Sequence, residues 1–201
     1  MIRNLIFDMG NVLIRFEPYL FMERLGVPPE ERELLNREVF RSVEWVQLDH
    51  GTVTETEAVA RMCARVPEPL HDAVAKLVSH WDRPILPVEG MEELTGELKG
   101  KGYGIYLLSN ASRRQHEYWP RIPANKHFDG TLISADVGLL KPAPAIYRML
   151  CESFSLLPEE CCFIDDSPPN VEAARCCGWQ GVVFHGDVTI LRREFHTMGI
   201  L

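Results

Sequence analysis

The chain has 201 residues, which is enough for one sizeable hydrophobic core and a small accessory domain. Charged residues make up 25% of the sequence and hydrophobic residues 46%, which are ordinary values for a globular protein. The formal net charge is −8, and no run rich in lysine or arginine interrupts this acidic balance, so the composition argues against nucleic-acid binding.

The N-terminal residues lead directly into a predicted strand and lack the segments and cleavage site of a signal peptide. No apolar stretch approaches the ~20 residues that a membrane-spanning helix requires. We therefore expect a cytoplasmic protein that engages neither membranes nor nucleic acids, with a monomer as the default state.

The first predicted element is a short buried strand at residues 3–8, which ends in Asp8. Residues 15–85 then show helical patterns throughout, and we interpret them as a helical cap domain inserted after this strand. The predicted cap helices cover residues 18–25, 29–40, 42–49, 54–65 and 69–80. Thr54 and Glu57 have the spacing of a capping box at the start of the fourth.

From residue 86 onward, predicted strands and helices alternate. The strands are expected at residues 104–109, 131–134, 161–165 and 181–184, and the helices at 90–100, 143–153 and 168–177. This alternation predicts an α/β fold, with a Rossmann-like parallel sheet and helices on both faces. Residues 1–14 and 86–201 would form this core domain.

Polar residues gather where the predicted strands end, and open α/β sheets bind ligands outside the carboxyl ends of their strands. The candidate site residues are Asp8, Ser109, Asn110, Lys141, Asp165 and Asp166. Considered singly, Asn110 is typical of a helix cap and Lys141 of a solvated surface. Considered together and in this order, the residues favour a functional site.

The set suits phosphoryl transfer. A carboxylate such as Asp8 can attack phosphorus and form a covalent aspartyl-phosphate. Because two anions repel, a cation must assist, and Mg²⁺ takes hard oxygen ligands from one or two carboxylates, here Asp8 with Asp165 or Asp166. Lys141 would stabilise charge on the phosphoryl oxygens, and Ser109 would donate a hydrogen bond.

Four local motifs resemble those of the haloacid dehalogenase-like (HAD) hydrolase superfamily. They are Phe7-Asp8-Met9-Gly10-Asn11-Val12, Leu108-Ser109-Asn110, Lys141-Pro142 and Phe163-Ile164-Asp165-Asp166. The chain is further similar to the α-glucose-1-phosphatase-like branch, which resembles the phosphatase domain of soluble epoxide hydrolases. The features shared with this branch are Asp-x-Gly-Asn-Val, Asp49-His50-Gly51-Thr52, Tyr118-Trp119-Pro120 and Gly138-Leu139-Leu140-Lys141-Pro142.

The resemblance implies a Mg²⁺-dependent phosphatase acting on a small phosphorylated metabolite, with a sugar phosphate such as a hexose 1-phosphate favoured. Asp8 would be nucleophile and metal ligand, and the Gly10 carbonyl and Asp166 would bind the metal. Asp165 would bind it directly or through water. The phosphoryl group would be held by Ser109, Asn110 and Lys141.

Gly10 departs from the family pattern, because most family phosphatases place an acid-base aspartate there. Help of that kind is worth ~10²–10⁴-fold in rate, so its loss predicts slow turnover and a preference for easily departing groups. Asp49 and His50 in the cap are candidates to replace the acid. Phe16, Trp45, His50 and Trp119 are candidates to face the substrate.

Two other functions remain open. A 2-haloacid dehalogenase also uses an aspartate nucleophile, but its substrate has no phosphate for a metal to bridge, and the pair Asp165 and Asp166 argues against it. A catalytically weak phosphate-ester-binding regulatory protein would retain the phosphate and metal residues without useful turnover. Every such residue other than the one at position 10 is present, which favours an enzyme.

Overall fold

The fold is built on a parallel sheet of five strands in the order β3-β2-β1-β4-β5, described for residues 1–201 by a computed structural model. The strands are β1 (Asn4–Phe7), β2 (Gly104–Ser109), β3 (Gly130–Ile133), β4 (Cys161–Asp165) and β5 (Gln180–Val183). All four pairings are parallel, which confirms the predicted sheet. The chain adds β2 and β3 on one side of β1 and then crosses to add β4 and β5 on the other side. The direction of winding therefore reverses beside β1, and open α/β sheets bind ligands at such a point.

Both faces of the sheet are buried, because consecutive apolar residues of a strand point to opposite faces and each face packs against helices. In β1, Leu5 and Phe7 belong to one hydrophobic cluster and Ile6 to another. Four principal helices follow residue 86, namely α6 (Met91–Gly100), α9 (Pro144–Phe154), α10 (Pro168–Cys176) and α11 (Val188–Thr197). The apolar sides of α6 and α11 pack with the Leu5 cluster and that of α9 with the Ile6 cluster, so helices cover both faces as predicted.

Five α-helices lie between β1 and α6, in the segment predicted to be a helical cap. They are α1 (Pro18–Arg24), α2 (Pro29–Leu35), α3 (Val43–His50), α4 (Glu55–Cys63) and α5 (His71–His80). The capping box is present, with Thr54 and Glu57 each bonding the backbone of the other. The helix predicted at 29–40 differs, because it continues from Leu35 as a π-helical turn, Asn36–Phe40, that buries Val39.

The helical segment leaves and rejoins the sheet domain at adjacent points. The backbone N–H of Arg15 donates to the carbonyl of Leu86 at 2.7 Å, and that of Val88 donates to Leu13 at 3.0 Å. Domain boundaries at 14–15 and 85–86 stay a prediction, which this pairing supports. No helix of the chain has the length and hydrophobicity to span a bilayer.

Two short helices and α11 were absent from the predicted elements. The short ones, α7 (Gln115–Tyr118) and α8 (Ser134–Val137), have four residues each, too few to display a helical period. Sequence signals for α11 do exist, because Asp187 caps its start and the buried Leu191 and Phe195 are four residues apart.

The end of α3 is seated on α8. Gly51 ends α3 with φ of +74°, and a Cβ there would lie 2.4 Å from the carbonyl oxygen of Ala135. Beside it, the Ser134 hydroxyl donates to the Asp49 carbonyl at 2.5 Å, and His50 Nε2 lies 2.8 Å from the Gly138 carbonyl. The helical segment is thus fixed to the sheet domain through three consecutive residues.

We predict that Gly51→Ala destabilises the protein more than Gly26→Ala does. Gly26 has a nearly equal φ of +73° but open space around a Cβ, so both variants carry the left-handed backbone cost of about 1–2 kcal/mol. Gly51→Ala adds a clash with backbone, which in packed sites costs about 1–3 kcal/mol. Urea unfolding of both variants measures the difference, and equal losses would contradict the close contact between α3 and α8.

Candidate active site

The candidate residues converge at the carboxyl edge of the sheet. Asp8 directly follows β1, and its N–H extends the ladder by donating to the Ile164 carbonyl of β4 at 2.8 Å. A cavity of about 230 Å³ opens at this edge. Of the predicted site residues, those lining it are Asp8, Gly10, Ser109, Asn110 and Asp166. Lys141 and Asp165 lie beneath this surface, at 5% and 0% exposure.

Lys141 bridges two carboxylates from neighbouring strands. Its Nζ lies 2.8 Å from Oδ1 of Asp8 and 2.7 Å from Oδ2 of Asp165. Burial lowers the pKa of Lys141, but the two carboxylates outweigh it and the pKa is raised overall. The ammonium therefore stays charged and partly neutralises Asp8, whereas contact between Lys141 and a phosphate stays a prediction.

Asn110 holds Lys141 in place through the backbone. Its Nδ2 donates to the Lys141 carbonyl at 3.0 Å, and its Oδ1 accepts from the Lys141 N–H at 2.8 Å. Both polar atoms of the amide are thereby engaged, which indicates a positioning role. The phosphate contact predicted for Asn110 stays a prediction.

Asp165 is saturated with hydrogen bonds from the protein. Besides Lys141, it accepts from the Ser167 N–H at 2.8 Å and from Asn170 Nδ2, which is 3.1 Å from each oxygen. With these partners and no exposed surface, its carboxylate is well placed to orient Lys141. A contact between Asp165 and a metal stays a prediction.

Asp166 is the accessible member of the acidic pair. Its Oδ2 accepts a hydrogen bond from Asn11 Nδ2 at 3.0 Å, and burial raises its pKa while that bond opposes the shift. Asn11 adopts a left-handed backbone with φ of 55°, and its Oδ1 accepts from the Phe16 N–H at 3.1 Å. This contact of Asn11 was not predicted, although asparagine tolerates that conformation unusually well and follows Gly10 directly.

The acidic residues form a group that could bind a metal ion. Oxygens of Asp8, Asp165 and Asp166 lie within 4.8 Å of one another. Burial raises the pKa of Asp8 to about 6 even though Lys141 opposes the shift, so the site is short of positive charge. Hard carboxylate oxygens and a charge deficit both fit a divalent cation such as Mg²⁺.

The cavity is also lined by one more carboxyl and by a group of aromatic side chains, which we call the aromatic wall. Asp49 lines the cavity from the end of α3, whereas His50 does not line it. The wall consists of Phe16, Trp45, Trp81 and Tyr118. Phe16 and Trp45 were expected there, but Trp81 and Tyr118 were not. Trp119 packs instead on Phe128, with ring centroids 5.1 Å apart.

We predict that Lys141→Met destabilises the metal-free protein in a pH-dependent way. Removing one partner of a buried ion pair costs about 3–5 kcal/mol, because the other charge is left uncompensated. Without Lys141, the folded-state pKa of Asp8 rises further above about 6, while its unfolded value stays near 4. The variant should therefore approach wild-type stability below pH ~4 and lose stability as the pH rises through the folded value.

Urea unfolding in a chelating buffer across this pH range measures the effect. Lys126→Met is the matched control, since Lys126 pairs with Glu92 on the surface and its side chain is 60% exposed. An equal, pH-independent loss in both lysine variants would contradict the role given to Lys141.

Comparison with known proteins places this site in a family. The model of the haloacid dehalogenase-like hydrolases matches residues 2–178. Sesquiterpene phosphatase astK of Aspergillus oryzae is 26% identical over 188 residues, an alignment covering 88% of this chain and 87% of the relative. A phosphorylated carbohydrates phosphatase of Thermotoga maritima is 25% identical over 176 residues, covering 86% and 80%.

Solved structures show the same fold. The HAD family enzyme BT-2542 from Bacteroides thetaiotaomicron, in complex with magnesium and inorganic phosphate, superimposes with a TM-score of 0.73 at 22% identity. The superposition covers 95% of this chain and 99% of that one. The resemblance found in the four motifs is thus confirmed, and the chain belongs to the haloacid dehalogenase-like hydrolases.

Proposed function

We propose that this hydrolase is a Mg²⁺-dependent phosphatase that cleaves small phosphate monoesters through an aspartyl-phosphate on Asp8. The observation that carries the proposal is the placement of Asp8, which lines the cavity while its Oδ1 is 2.8 Å from the buried Lys141 ammonium. An adjacent cation favours the ionised carboxylate, the form that can attack phosphorus.

In the first half of the reaction, a carboxylate oxygen of Asp8 attacks phosphorus and the bond to the alcohol oxygen breaks. In the second half, water attacks the same phosphorus, which releases inorganic phosphate and restores Asp8. The Ser109 hydroxyl, which ends β2 at the cavity, would hydrogen-bond the phosphoryl oxygens. Lys141 would partly neutralise Asp8 and so lower its repulsion of the negatively charged phosphoryl group.

Asp8, Asp166 and the Gly10 carbonyl would hold Mg²⁺, with Asp165 behind them. When bound, the cation would neutralise charge that builds up on the phosphoryl oxygens and lower the repulsion between phosphate and Asp8. The grouping of three carboxylates, two of which line the cavity, supports this proposal, and it also argues against 2-haloacid dehalogenation, which needs no metal.

We predict that Asp8→Asn abolishes phosphatase activity while leaving the fold intact. The amide has the same shape but is not a competent nucleophile, so no aspartyl-phosphate can form. Phosphate release from a panel of monoesters, with Mg²⁺ and with a chelator, measures the loss together with the metal requirement.

Asp72→Asn is the control, because Asp72 lies on the surface of α5 and pairs only with Lys76. Substantial turnover by Asp8→Asn would refute the mechanism. Halide release from 2-haloacids would indicate dehalogenation, and phosphate-ester binding without turnover by the wild type would indicate a regulatory protein.

The substrate's alcohol portion would lie against the aromatic wall of the cavity. Phe16, Trp45, Trp81 and Tyr118 form that wall, and no lysine, arginine or histidine lines the cavity. Sugar hydroxyls must exchange water for protein hydrogen bonds when they are buried, whereas an apolar group gains from the same surface. We therefore favour a monoester of an apolar or aromatic alcohol, with the hexose 1-phosphate predicted from sequence as the alternative. The relatives include phosphatases named for each class.

We predict a higher kcat/KM for cyclohexylmethyl phosphate than for glucose 6-phosphate. Both are primary alkyl esters, so their leaving groups depart with similar ease. The comparison therefore measures only the effect of an apolar or a polar group against the wall. Trp45→Leu should lower kcat/KM for the cyclohexyl ester about fivefold, mainly through KM, as a lost aromatic contact of about 1 kcal/mol implies.

Trp119→Leu, a tryptophan outside the cavity lining, should preserve KM. Glucose 1-phosphate completes the panel, and a higher kcat/KM for it than for the other esters would support the sugar phosphate predicted from sequence.

A cytoplasmic location and a monomeric state remain predictions from the sequence.

A further inference from the structure

The loop that follows β1 has no acid–base residue two positions after Asp8. Position 10 is glycine, and a Cβ built there meets no atom within 4 Å, so the space that a longer side chain would occupy is open. An alkoxide leaving group departs slowly unless it is protonated as the bond breaks. The proposed phosphatase therefore needs a proton donor from another part of the chain.

Asp49 is a titratable residue on a different part of the chain, at the end of α3. It lines the cavity together with Asp8, Gly10 and Asp166, but it does not belong to the carboxylate group that could bind a metal. It also makes no ion pair within 4 Å and is only partly exposed. Its position therefore suits contact with the alcohol oxygen of a substrate attached at Asp8.

The position of Asp49 is fixed by the contact between α3 and α8. The Ser134 hydroxyl donates to its carbonyl at 2.5 Å, and the next residue, His50, lies 2.8 Å from the Gly138 carbonyl. Gly51 then packs directly on Ala135. The Asp49 carboxyl itself lies by the backbone N–H of Ser112, in the loop that follows β2. Because the end of α3 is fixed at this point, the Asp49 carboxyl is kept in one region of the cavity.

The surroundings of Asp49 favour its protonated form. Burial raises its pKa to about 8, the nearby Asp8 adds to the shift, and the Ser112 N–H and the more distant Lys141 oppose it. Tyr118 is the other titratable group close to Asp49, and burial holds its pKa well above the usual value, so it stays neutral. A carboxyl that is protonated near neutral pH has a proton to donate.

We propose that Asp49, supplied by the helical segment, is the general acid and base of the reaction, in place of a residue at position 10. As Asp8 attacks, the phosphorus–oxygen bond to the alcohol breaks, and the alcohol oxygen takes the proton of the Asp49 carboxyl. Water then attacks phosphorus and gives a proton to the Asp49 carboxylate, and the bond to Asp8 breaks with its electron pair returning to Asp8. This inference rests on the phosphatase function proposed above.

The test compares Asp49→Asn with wild type on two esters that share an aromatic group but differ in leaving group. On 2-phenylethyl phosphate, whose alkoxide needs protonation, kcat should fall ~10²–10⁴-fold. On 4-nitrophenyl phosphate, whose phenolate departs readily, kcat should fall less than tenfold. Asp72→Asn should leave both rates unchanged.

A second variant separates chemistry from folding. Adding Gly10→Asp to Asp49→Asn should restore turnover of 2-phenylethyl phosphate at least tenfold, because position 10 has open space and faces the same cavity. Rescue from a distant element would not be expected if Asp49 served only to hold α3 in place.

The outcomes distinguish the two proposals. Equal losses on both esters, no loss on either, or no rescue by Gly10→Asp would overturn the role of Asp49 while leaving the phosphatase function intact. A wild-type protein that releases phosphate from neither ester nor from the wider panel would overturn the proposed function, and this inference with it.

Discussion

The site depends on one buried ammonium, that of Lys141, between the carboxylates of Asp8 and Asp165. Burial raises the pKa of the Asp8 carboxyl, because moving an isolated charge out of water costs several kcal/mol, and the Lys141 ammonium opposes this shift. One cation serves two anions, so the cluster keeps a net negative charge. That residual charge would favour a cation at the carboxylates that reach the cavity.

A bridge of this kind works only if its members are held rigidly, and much of the surrounding polar structure does this. Asn110 bonds the backbone of Lys141 on both sides, and Asn170 and Ser167 fix Asp165. These groups come from the loops after β2, before α9 and after β4 and from the first turn of α10, segments that are mostly far apart in sequence. The parallel sheet brings the loops to one edge, because all of its strands end there. The fold thus supplies the proximity, and the amide side chains supply the orientation.

The sequence predicted the strands well, and its candidate site residues do converge at one edge of the sheet, because both leave local patterns. Apolar runs mark the strands, and polar residues directly after them mark the site. The sequence did not reveal how the residues divide their work. Lys141 alone resembles a surface lysine but is buried, and Asn110 resembles a helix cap but clamps Lys141. Such assignments depend on contacts between distant segments, which spacing along the chain does not encode.

The same limit applies to the cavity wall, where Trp81 packs on both Phe16 and Tyr118 only because the helical segment returns to the sheet. It applies most clearly to Asp49. An acid at position 10 would need only the loop after β1 to reach the substrate, whereas an acid at the end of α3 would reach it only while α3 rests on α8. The contact between Gly51 and Ala135 would then serve two purposes, because α3 carries both Trp45 of the aromatic wall and the proposed proton donor. A fluctuation that lifts α3 would therefore disturb substrate binding and proton donation at the same time.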